Sequence, residues 1–422
     1  MRTLFIIKDN IANKISYYHL AAFLITLPFD FFYSQLVLMS FAVHTLIHLQ
    51  KKRLPLLMQK ATLIPMSVFL LSLITIVYSY DKQEGFSILG RQSAILFMPV
   101  LLALNSLNLA VYKLPLLKIF AFTCTAVVIY LYGDAFHTLL YFHLPLSDLF
   151  TGAFINHNFS LPIEMHATYL SMYAAFSMLI FLYAGIKEAG KGKKLLYSIC
   201  ICILFAGIVQ LTSRAVFAGV LLVIPVGVSF FLLAGKKRLL FLGVSGLTAL
   251  VCFILITNVN AFKTRYVSEL KNDLTKAAID NEILEPRVVR WQLAFDLVKQ
   301  SPVIGYGNGS EKELLKQKYF ANKLYISYLA AFNAHSEYLS FLLRAGIVGL
   351  CLYLFVLYFG ITTAVKRKDF LFFSFMALIT LVSVSENILD VNKGIFFYSF
   401  FLSFFLIANN TELFYEGNHS KL

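Results

Sequence analysis

Charged residues are scarce in this chain. Asp, Glu, Lys and Arg make up only 14% of its 422 residues, whereas a soluble protein has about 25%. Segments that alternate between apolar and polar residues, typical of outer-membrane strands, are also lacking. Instead, apolar segments of about 20 residues recur, long enough to cross a bilayer core as helices. We therefore expect an all-α, polytopic membrane protein.

Paired loop cysteines and clusters of Cys with His are missing as well. All five cysteines fall inside apolar runs, at Cys124, Cys200, Cys202, Cys252 and Cys351. This placement argues against disulfides and structural zinc, and it predicts that the cysteines fill buried space between helices. A cleavable signal peptide is not expected either, because Met1 to Lys14 is mixed polar and no small-residue cleavage site follows the first apolar run.

The apolar runs predict about twelve transmembrane helices. They are roughly Tyr17–Phe32, Gln35–Leu49, Ala61–Tyr80, Ile88–Leu104, Leu116–Phe142, Met165–Gly185, Leu195–Leu211, Ala215–Ala234, Leu239–Thr257, Tyr338–Val365, Phe370–Val384 and Ile395–Ala408. With the N-terminus inside, twenty basic residues lie on the cytoplasmic side and four in the short outer segments, a strong positive-inside signal. Most of the net charge of +14 therefore reports topology, and a nucleic-acid partner is not expected.

This topology divides the chain into four parts. Residues 1–257 form an N-terminal transmembrane bundle of about nine helices, 258–337 a large periplasmic loop domain that contains helices, 338–410 three C-terminal transmembrane helices, and 411–422 a cytoplasmic tail. Within the loop, Phe262–Ala278 is interpreted as a solvated helix with mostly surface charges, and Pro286 begins another helix. The glycines Gly305, Gly307 and Gly309 form a turn cluster, and no buried strand precedes them as a dinucleotide site requires.

Arginines on the predicted outer side are candidate anion ligands. Arg214 lies between two apolar spans, where a charge near membrane depth is a functional-site hypothesis by default; the alternative is that it reaches the outer headgroups. Arg287 begins the loop helix and Arg290 follows on the same face, and a guanidinium is suited to phosphate. The alternative is a solvated pair at the lipid surface, or Arg290 beside Glu285 or Trp291.

His335 is the candidate general base. It opens the tenth span at the external interface, and its near-neutral pKa suits it to take a proton from a hydroxyl. The alternative is an interfacial histidine satisfied by a backbone carbonyl. Asn333 and Ser336 flank it in a polar cluster. In the same cluster, Glu337 and Tyr338 are candidate substrate contacts, although Glu337 could instead cap the helix.

Other outer-side residues are further candidates. Arg91 lies beside an apolar span and could contact substrate. His157 and His166 flank the shorter outer loop and could line the same cavity, and Glu386 with Asp390 could bind an acceptor group. Several arginines, one base and no carboxylate motif for a divalent metal suit a substrate already activated by pyrophosphate. On this interpretation the reaction needs no metal or nucleotide cofactor.

Several segments resemble the O-antigen ligase and O-antigen polymerase superfamily. They are Thr212-Ser213-Arg214, Arg287 with Trp291, Ser301-Pro302-Val303-Ile304-Gly305-Tyr306-Gly307, His335-Ser336-Glu337-Tyr338-Leu339 and Ala345-Gly346-Ile347-Val348-Gly349-Leu350. The resemblance extends over about Leu195–Ala364. The chain departs from it at Ser336, where many members have Asn, and at Arg344, where an acidic residue is common.

The resemblance implies a GT-C-like glycosyltransferase of the bacterial inner membrane, with both termini cytoplasmic and its active site facing the periplasm. Arg214 and Arg287 would bind the pyrophosphate of an undecaprenyl-pyrophosphate-linked glycan, and His335 would activate the acceptor for inverting, metal-independent transfer. A ligase would use a hydroxyl of the lipid A core as acceptor, and a polymerase would use another carrier-linked repeat unit. A lipid-linked glycan transporter is the alternative from another class. Membrane lipids are expected partners in each case.

Overall fold

The computed structural model describes residues 2–258, 260–274 and 285–410, and these residues form helices and turns without strands. The predicted cytoplasmic tail, 411–422, lies outside the described residues. Fifteen α-helices of six or more residues occur in the described part. They are α1 Ile11–Thr26, α2 Phe31–Ile47, α3 Lys60–Thr75, α4 Lys82–Leu104, α5 Leu109–Tyr141, α6 Ala167–Lys187, α7 Lys191–Leu211, α8 Arg214–Phe231, α9 Gly235–Asn258, α10 Glu269–Leu274, α11 Arg287–Gln300, α12 Ser310–Ala321, α13 Glu337–Lys366, α14 Phe370–Val382 and α15 Asn392–Asn410.

Eleven of the twelve predicted spans each overlap one α-helix, and the first, Tyr17–Phe32, overlaps α1 and the first two residues of α2. Eight helices in the described residues, α3 to α9 and α13, are long and apolar enough to cross a membrane, and α2 and α14 are apolar but shorter. The chain is therefore a multi-pass helical membrane protein, as predicted. The first helix lies earlier than its predicted span, because Pro28 has no N–H to continue it and Asp30 then caps α2 through the N–H of Phe32.

Phenylalanine rings fill the centre of the bundle, where α5, α6, α14 and α15 meet. The ring of Phe401 lies 5.1 Å from that of Phe120 and 5.0 Å from that of Phe176, and Phe375 lies 5.5 Å from Phe397. All five side chains are buried, and edge-to-face or tilted contacts of this kind stabilise beyond the area they bury. Helix α9 is at the periphery, with none of residues 235–254 buried.

The cysteines follow the expectation only in part. Cys124 and Cys200 are buried between helices, whereas Cys202 and Cys351 are exposed on the outer surfaces of α7 and α13. The prediction of buried packing was therefore wrong for these two. The physical reason is that an apolar run specifies burial from water, and in a membrane protein lipid provides that environment as well as protein does.

Helix α13 is not continuous as predicted, because it breaks at Gly346 with φ 61° and ψ −154°. The glycine turn of the large loop and the residues just before it pack into this break through four backbone hydrogen bonds, and the three shortest are 2.8 to 2.9 Å long. They run from Tyr306 N to Leu343 O at 2.8 Å, from Gly307 N to Arg344 O at 2.9 Å and from Ile347 N to Pro302 O at 2.8 Å. The groups freed by the break thus gain partners, as backbone at membrane depth requires.

Helices α11 and α12 share a small apolar core with the start of α13. Its buried members are Ala294, Leu297, Leu315, Tyr319, Ala334, Leu339 and Leu343. This core is separate from the bundle interior. It fixes α11 against α13, so that the first turn of α11 lies near the loop that precedes α13.

The charges of the predicted helix Phe262–Ala278 are not all on the surface. The described part, up to residue 274, is helical and includes a π-helical turn at Thr264–Ser268, while residues 275–278 lie outside the described residues. Asp273, on α10, points to the bundle and pairs with Arg214. The pairing could not be seen in the sequence, because the two residues are 59 positions apart.

Candidate active site

Arg214 is the first residue of α8 and follows the sharp turn that ends α7. Thr212 makes this turn in the left-handed conformation, with φ 47°, which is rare for a β-branched residue. The Arg214 side chain is 18% exposed, and its Nη2 lies 2.5 Å from Oδ2 of Asp273. Its Nη1 is buried and has no hydrogen-bond partner in the described residues. The guanidinium therefore has a donor left for a further acceptor.

Arg287 approaches the same carboxylate from the large loop. It is the first residue of α11, and its Nε lies 3.7 Å from Oδ2 of Asp273. Its Nη1 donates to the carbonyl oxygen of Ser385 at 3.2 Å, in the segment between α14 and α15. One oxygen of Asp273 thus lies near two arginines, one at the start of α8 and one at the start of α11. The arginines make a site for an anion, and a carboxylate of the protein occupies it.

Arg290 lies one turn further along α11. It is 7% exposed, and its guanidinium stacks 5.0 Å over the ring of Phe332. Burial lowers its pKa, and the positive charge of Arg287 lowers it further. Nε and Nη1 have no hydrogen-bond partner among the described residues. Glu285, which the sequence offers as an alternative partner of Arg290, instead accepts the N–H of Ser327 at 2.6 Å.

His335 lies in the tight loop before α13, in the left-handed conformation with φ 46°. Its ring packs edge-on against Phe332, 5.4 Å between centroids, and Arg290 contacts the same ring. Burial, reinforced by the positive charges of Arg287 and Arg290, lowers the pKa of His335 to about 3. The imidazole is therefore neutral at neutral pH and can accept a proton.

The shorter outer loop borders the same region. Gln210, near the end of α7, holds this loop through hydrogen bonds of 2.7 Å to the carbonyls of Leu149 and Phe154. The rings of His157 and His166 lie 4.2 Å apart, and the charge of Arg287 acts on His166. His166 thus lies within electrostatic range of Arg287, and a cavity shared by the two outer loops stays a prediction.

Glu386 lies nearby and is partly buried. Thr168 donates to its Oε1 at 3.3 Å. Burial raises the pKa of Glu386, while the positive charge of Arg287 opposes this rise. Asp273 and Glu386 are thus the carboxylates that face Arg214 and Arg287 in the described structure.

A comparison with protein-family models matches residues 199–354 to the model described as O-antigen ligase. The match covers less than half of the chain and shows that residues 199–354 are similar to the O-antigen ligase family. A search of curated proteins found no matching relative. The matched range runs from α7 into α13 and includes Arg214, Arg287 and His335. It confirms the resemblance to the ligase and polymerase superfamily without distinguishing a ligase from a polymerase.

Two other predicted site residues of the matched range, Glu337 and Tyr338, make hydrogen bonds to the protein backbone. Glu337 is 1% exposed and accepts the N–H of Leu389 at 2.9 Å. The hydroxyl of Tyr338 donates to the carbonyl oxygen of Thr380 at 2.8 Å. Both side chains therefore connect the start of α13 to α14 and the segment that follows it. The contacts of Arg214 and Arg287 with Asp273 do not involve them.

Arg91 lies outside the matched range, on α4. Its Nη2 pairs with Glu84 at 3.0 Å, and its Nη1 donates to Ser87 at 3.0 Å. Its charge acts on Asp390 and does not contribute to the Asp273 contacts. Arg214 and Arg287 thus meet at Asp273, the charges of Arg287 and Arg290 act on His335, and Arg91 pairs with Glu84 on α4.

A buried ion cluster beside the site escaped the sequence analysis. Arg344 lies between Glu311 and Asp390, at 2.6 Å and 2.7 Å. Burial alone would raise the pKa of Asp390, but Arg344 lowers it below its usual value. From the sequence, Asp390 is predicted to bind an acceptor group, and Arg344 stands out only as a departure from the superfamily. Nothing in the sequence marks Glu311, because it lies at a charged helix end that resembles many others.

Proposed function

We propose that the chain is an O-antigen ligase, which transfers a glycan from undecaprenyl pyrophosphate to a hydroxyl of the lipid A core on the periplasmic side of the bacterial inner membrane. The observation that supports this most directly is the position of Asp273. Two arginines that are 73 residues apart converge on one of its oxygens. A donor pyrophosphate would take this place, since bidentate arginine contacts suit phosphate oxygens.

In this reaction the acceptor hydroxyl oxygen attacks the anomeric carbon of the donor sugar. The bond from that carbon to the pyrophosphate oxygen breaks, and the bonding electrons leave with undecaprenyl pyrophosphate. Arg214 and Arg287 stabilise the charge that develops on the leaving group. His335 takes the hydroxyl proton. A single displacement inverts the configuration at the anomeric carbon.

The neutral state of His335 fits a general base. Its pKa of about 3 in the donor-free protein, due to burial and then to the nearby arginines, keeps the ring unprotonated but makes it a weak base. Bound pyrophosphate would offset the charges of Arg287 and Arg290 and raise this pKa toward the value at which a base works well. On this proposal, donor binding raises the basicity of His335 before the acceptor hydroxyl loses its proton.

Arg290 would supply an additional contact to the anion. Two of its nitrogens are buried without a partner in the described structure, and leaving charged donors unpaired is costly. We propose that a donor oxygen, from pyrophosphate or from an acidic sugar, satisfies at least one of them. The reaction so built needs neither a metal ion nor a nucleotide.

The lipopolysaccharide of a strain that lacks this chain tests the proposal. Loss of a ligase leaves bare core and accumulated carrier-linked polymer, whereas loss of a polymerase leaves core with single repeats. The second pattern would replace the ligase by a polymerase that uses the same arginines.

Purified protein with carrier-linked donor and acceptor should turn over in EDTA, and His335→Ala should abolish transfer while the protein is still produced and inserted. A strict metal requirement would contradict the proposal.

A further inference from the structure

Arg344 lies in a buried cluster with one carboxylate on either side. Its Nε and Nη2 atoms lie 2.8 Å and 2.6 Å from Oε2 of Glu311, and its Nη1 and Nη2 atoms lie 2.7 Å and 2.8 Å from the two oxygens of Asp390. The side chains of Arg344, Glu311 and Asp390 are only 11%, 3% and 15% exposed. Burying such a cluster is often no more stabilising than apolar packing, so stability alone is a weak reason for it.

Both carboxylates also reach the loop that carries His335. Oε1 of Glu311 accepts the N–H of Ala334 at 3.0 Å. Oδ2 of Asp390 accepts from Nδ2 of Asn333 at 3.2 Å, and Oδ1 of Asn333 accepts the N–H of His335 at 3.1 Å. The cluster is thus linked to the residues immediately before His335 by two separate routes.

The conformation of His335 needs such support. Its φ of 46° lies in the left-handed region, which is strained for a residue with a side chain. A residue keeps such a conformation when its surroundings determine it, and this is common at functional sites. If the loop relaxed, the imidazole would turn away from the side on which Arg287 and Arg290 act on it.

We infer that Glu311, Arg344 and Asp390 form a positioning unit for His335, which holds the imidazole at the arginine site without contacting the donor or the acceptor. The inference rests on the proposed role of His335 as the base. Because a displacement of about 1 Å at a reacting group can reduce a rate about a hundredfold, weakening the unit should reduce kcat and leave donor binding unchanged.

Asp390→Asn is the principal test. The variant keeps the shape of the side chain but removes its charge and weakens its contacts with Arg344 and Asn333. We expect kcat to fall by about tenfold to a hundredfold, with the KM for the donor unchanged. The acid limb of the kcat profile should move to lower pH, because the charge of Asp390 raises the pKa of His335 against burial and against Arg287, Arg290 and His166.

Asp369→Asn is the matched control. Asp369 is also a buried carboxylate in an ion pair, 2.9 Å from Lys113, and it caps α14 through the N–H of Phe372, near the end of α13 remote from His335. Its loss should lower the melting temperature in detergent about as much as Asp390→Asn, without moving kcat or the pH profile. Equal kinetic losses in the two variants would reduce the cluster to a structural role and overturn the inference.

Asn333→Ala is the second variant, for use also where Asp390→Asn does not fold. It leaves the ion cluster intact and removes only one link to His335, so a smaller loss of kcat is expected. His335→Ala, assayed in parallel, separates the two proposals. Full activity in His335→Ala contradicts the proposed function, whereas an inactive His335→Ala beside a fully active Asn333→Ala and Asp390→Asn contradicts only the positioning unit.

Discussion

Oδ2 of Asp273 lies 2.5 Å from Nη2 of Arg214, inside the site that we propose for a pyrophosphate. The same oxygen lies 3.7 Å from Nε of Arg287. A donor that uses both arginines must therefore displace this carboxylate. Asp273 competes with the donor on this interpretation and does not assist it.

Asp273→Asn should lower the KM for the donor. An uncharged amide competes less well for the arginines, and an ion pair that is partly exposed, as this one is, contributes on the order of 1 kcal/mol, or roughly a threefold to tenfold change in KM. The measurement is steady-state transfer with donor varied. Asp296→Asn is the control, because Asp296 pairs with Lys299 on the exposed surface of α11. A higher KM in Asp273→Asn would show that the carboxylate orders the site.

Acid should destabilise the donor-free protein partly through His335. In the unfolded chain His335 titrates near 6.5, and in the folded protein its pKa is lowered to about 3 by burial and by Arg287 and Arg290. Below pH 6.5 the unfolded state therefore binds a proton that the folded state does not, so this contribution is complete above 6.5 and is lost as pH falls toward 3. Melting temperatures from pH 7.5 to pH 4.5 should fall more steeply for the wild type than for His335→Gln. Parallel curves would remove His335 from the acid response.

Substitutions of two glycines should have opposite effects on stability. A Cβ on Gly346 would lie 2.2 Å from the carbonyl oxygen of Val303, at a positive φ, so Gly346→Ala should destabilise by ~3 kcal/mol or more through the clash and the left-handed strain together. Gly90 lies inside α4 with nothing within 4 Å of its Cβ position, so Gly90→Ala should stabilise by roughly 0.5–1 kcal/mol. Thermal unfolding in detergent measures both. Near-equal effects would show that the glycine turn does not dock into the break in α13.

Two exposed lysines test the orientation of the membrane spans. Lys299, at the end of α11, and Lys193, at the start of α7, have side chains that are 75% and 68% exposed. In a variant without the native cysteines, an impermeant maleimide should label Lys299→Cys in spheroplasts and should label Lys193→Cys only after the membrane is opened. The reverse pattern would place the arginine site in the cytosol and remove the periplasmic reaction.

The sequence by itself determined the helical class and the approximate position of each main helix, and it singled out candidate residues for the site. Long apolar runs leave a helix as the structure that satisfies the backbone in lipid, so the approximate positions of these helices followed from composition. Arg214, Arg287 and His335 were identifiable because charged residues stand out beside apolar spans. The two outer loops were expected to share a region for the same reason.

Only the tertiary structure decided which charges meet. Asp273 belonged to a segment that looked solvated, and Glu311 and Asp390 are separated by 79 positions; no local pattern records that they share Arg344. The break at Gly346 was also hidden, because its partner is a turn about 40 residues earlier in the chain. Hydrophobic patterning fixes where a helix lies, since it depends on neighbours along the chain. Pairing of buried charges depends on how distant segments pack, and packing is decided in three dimensions.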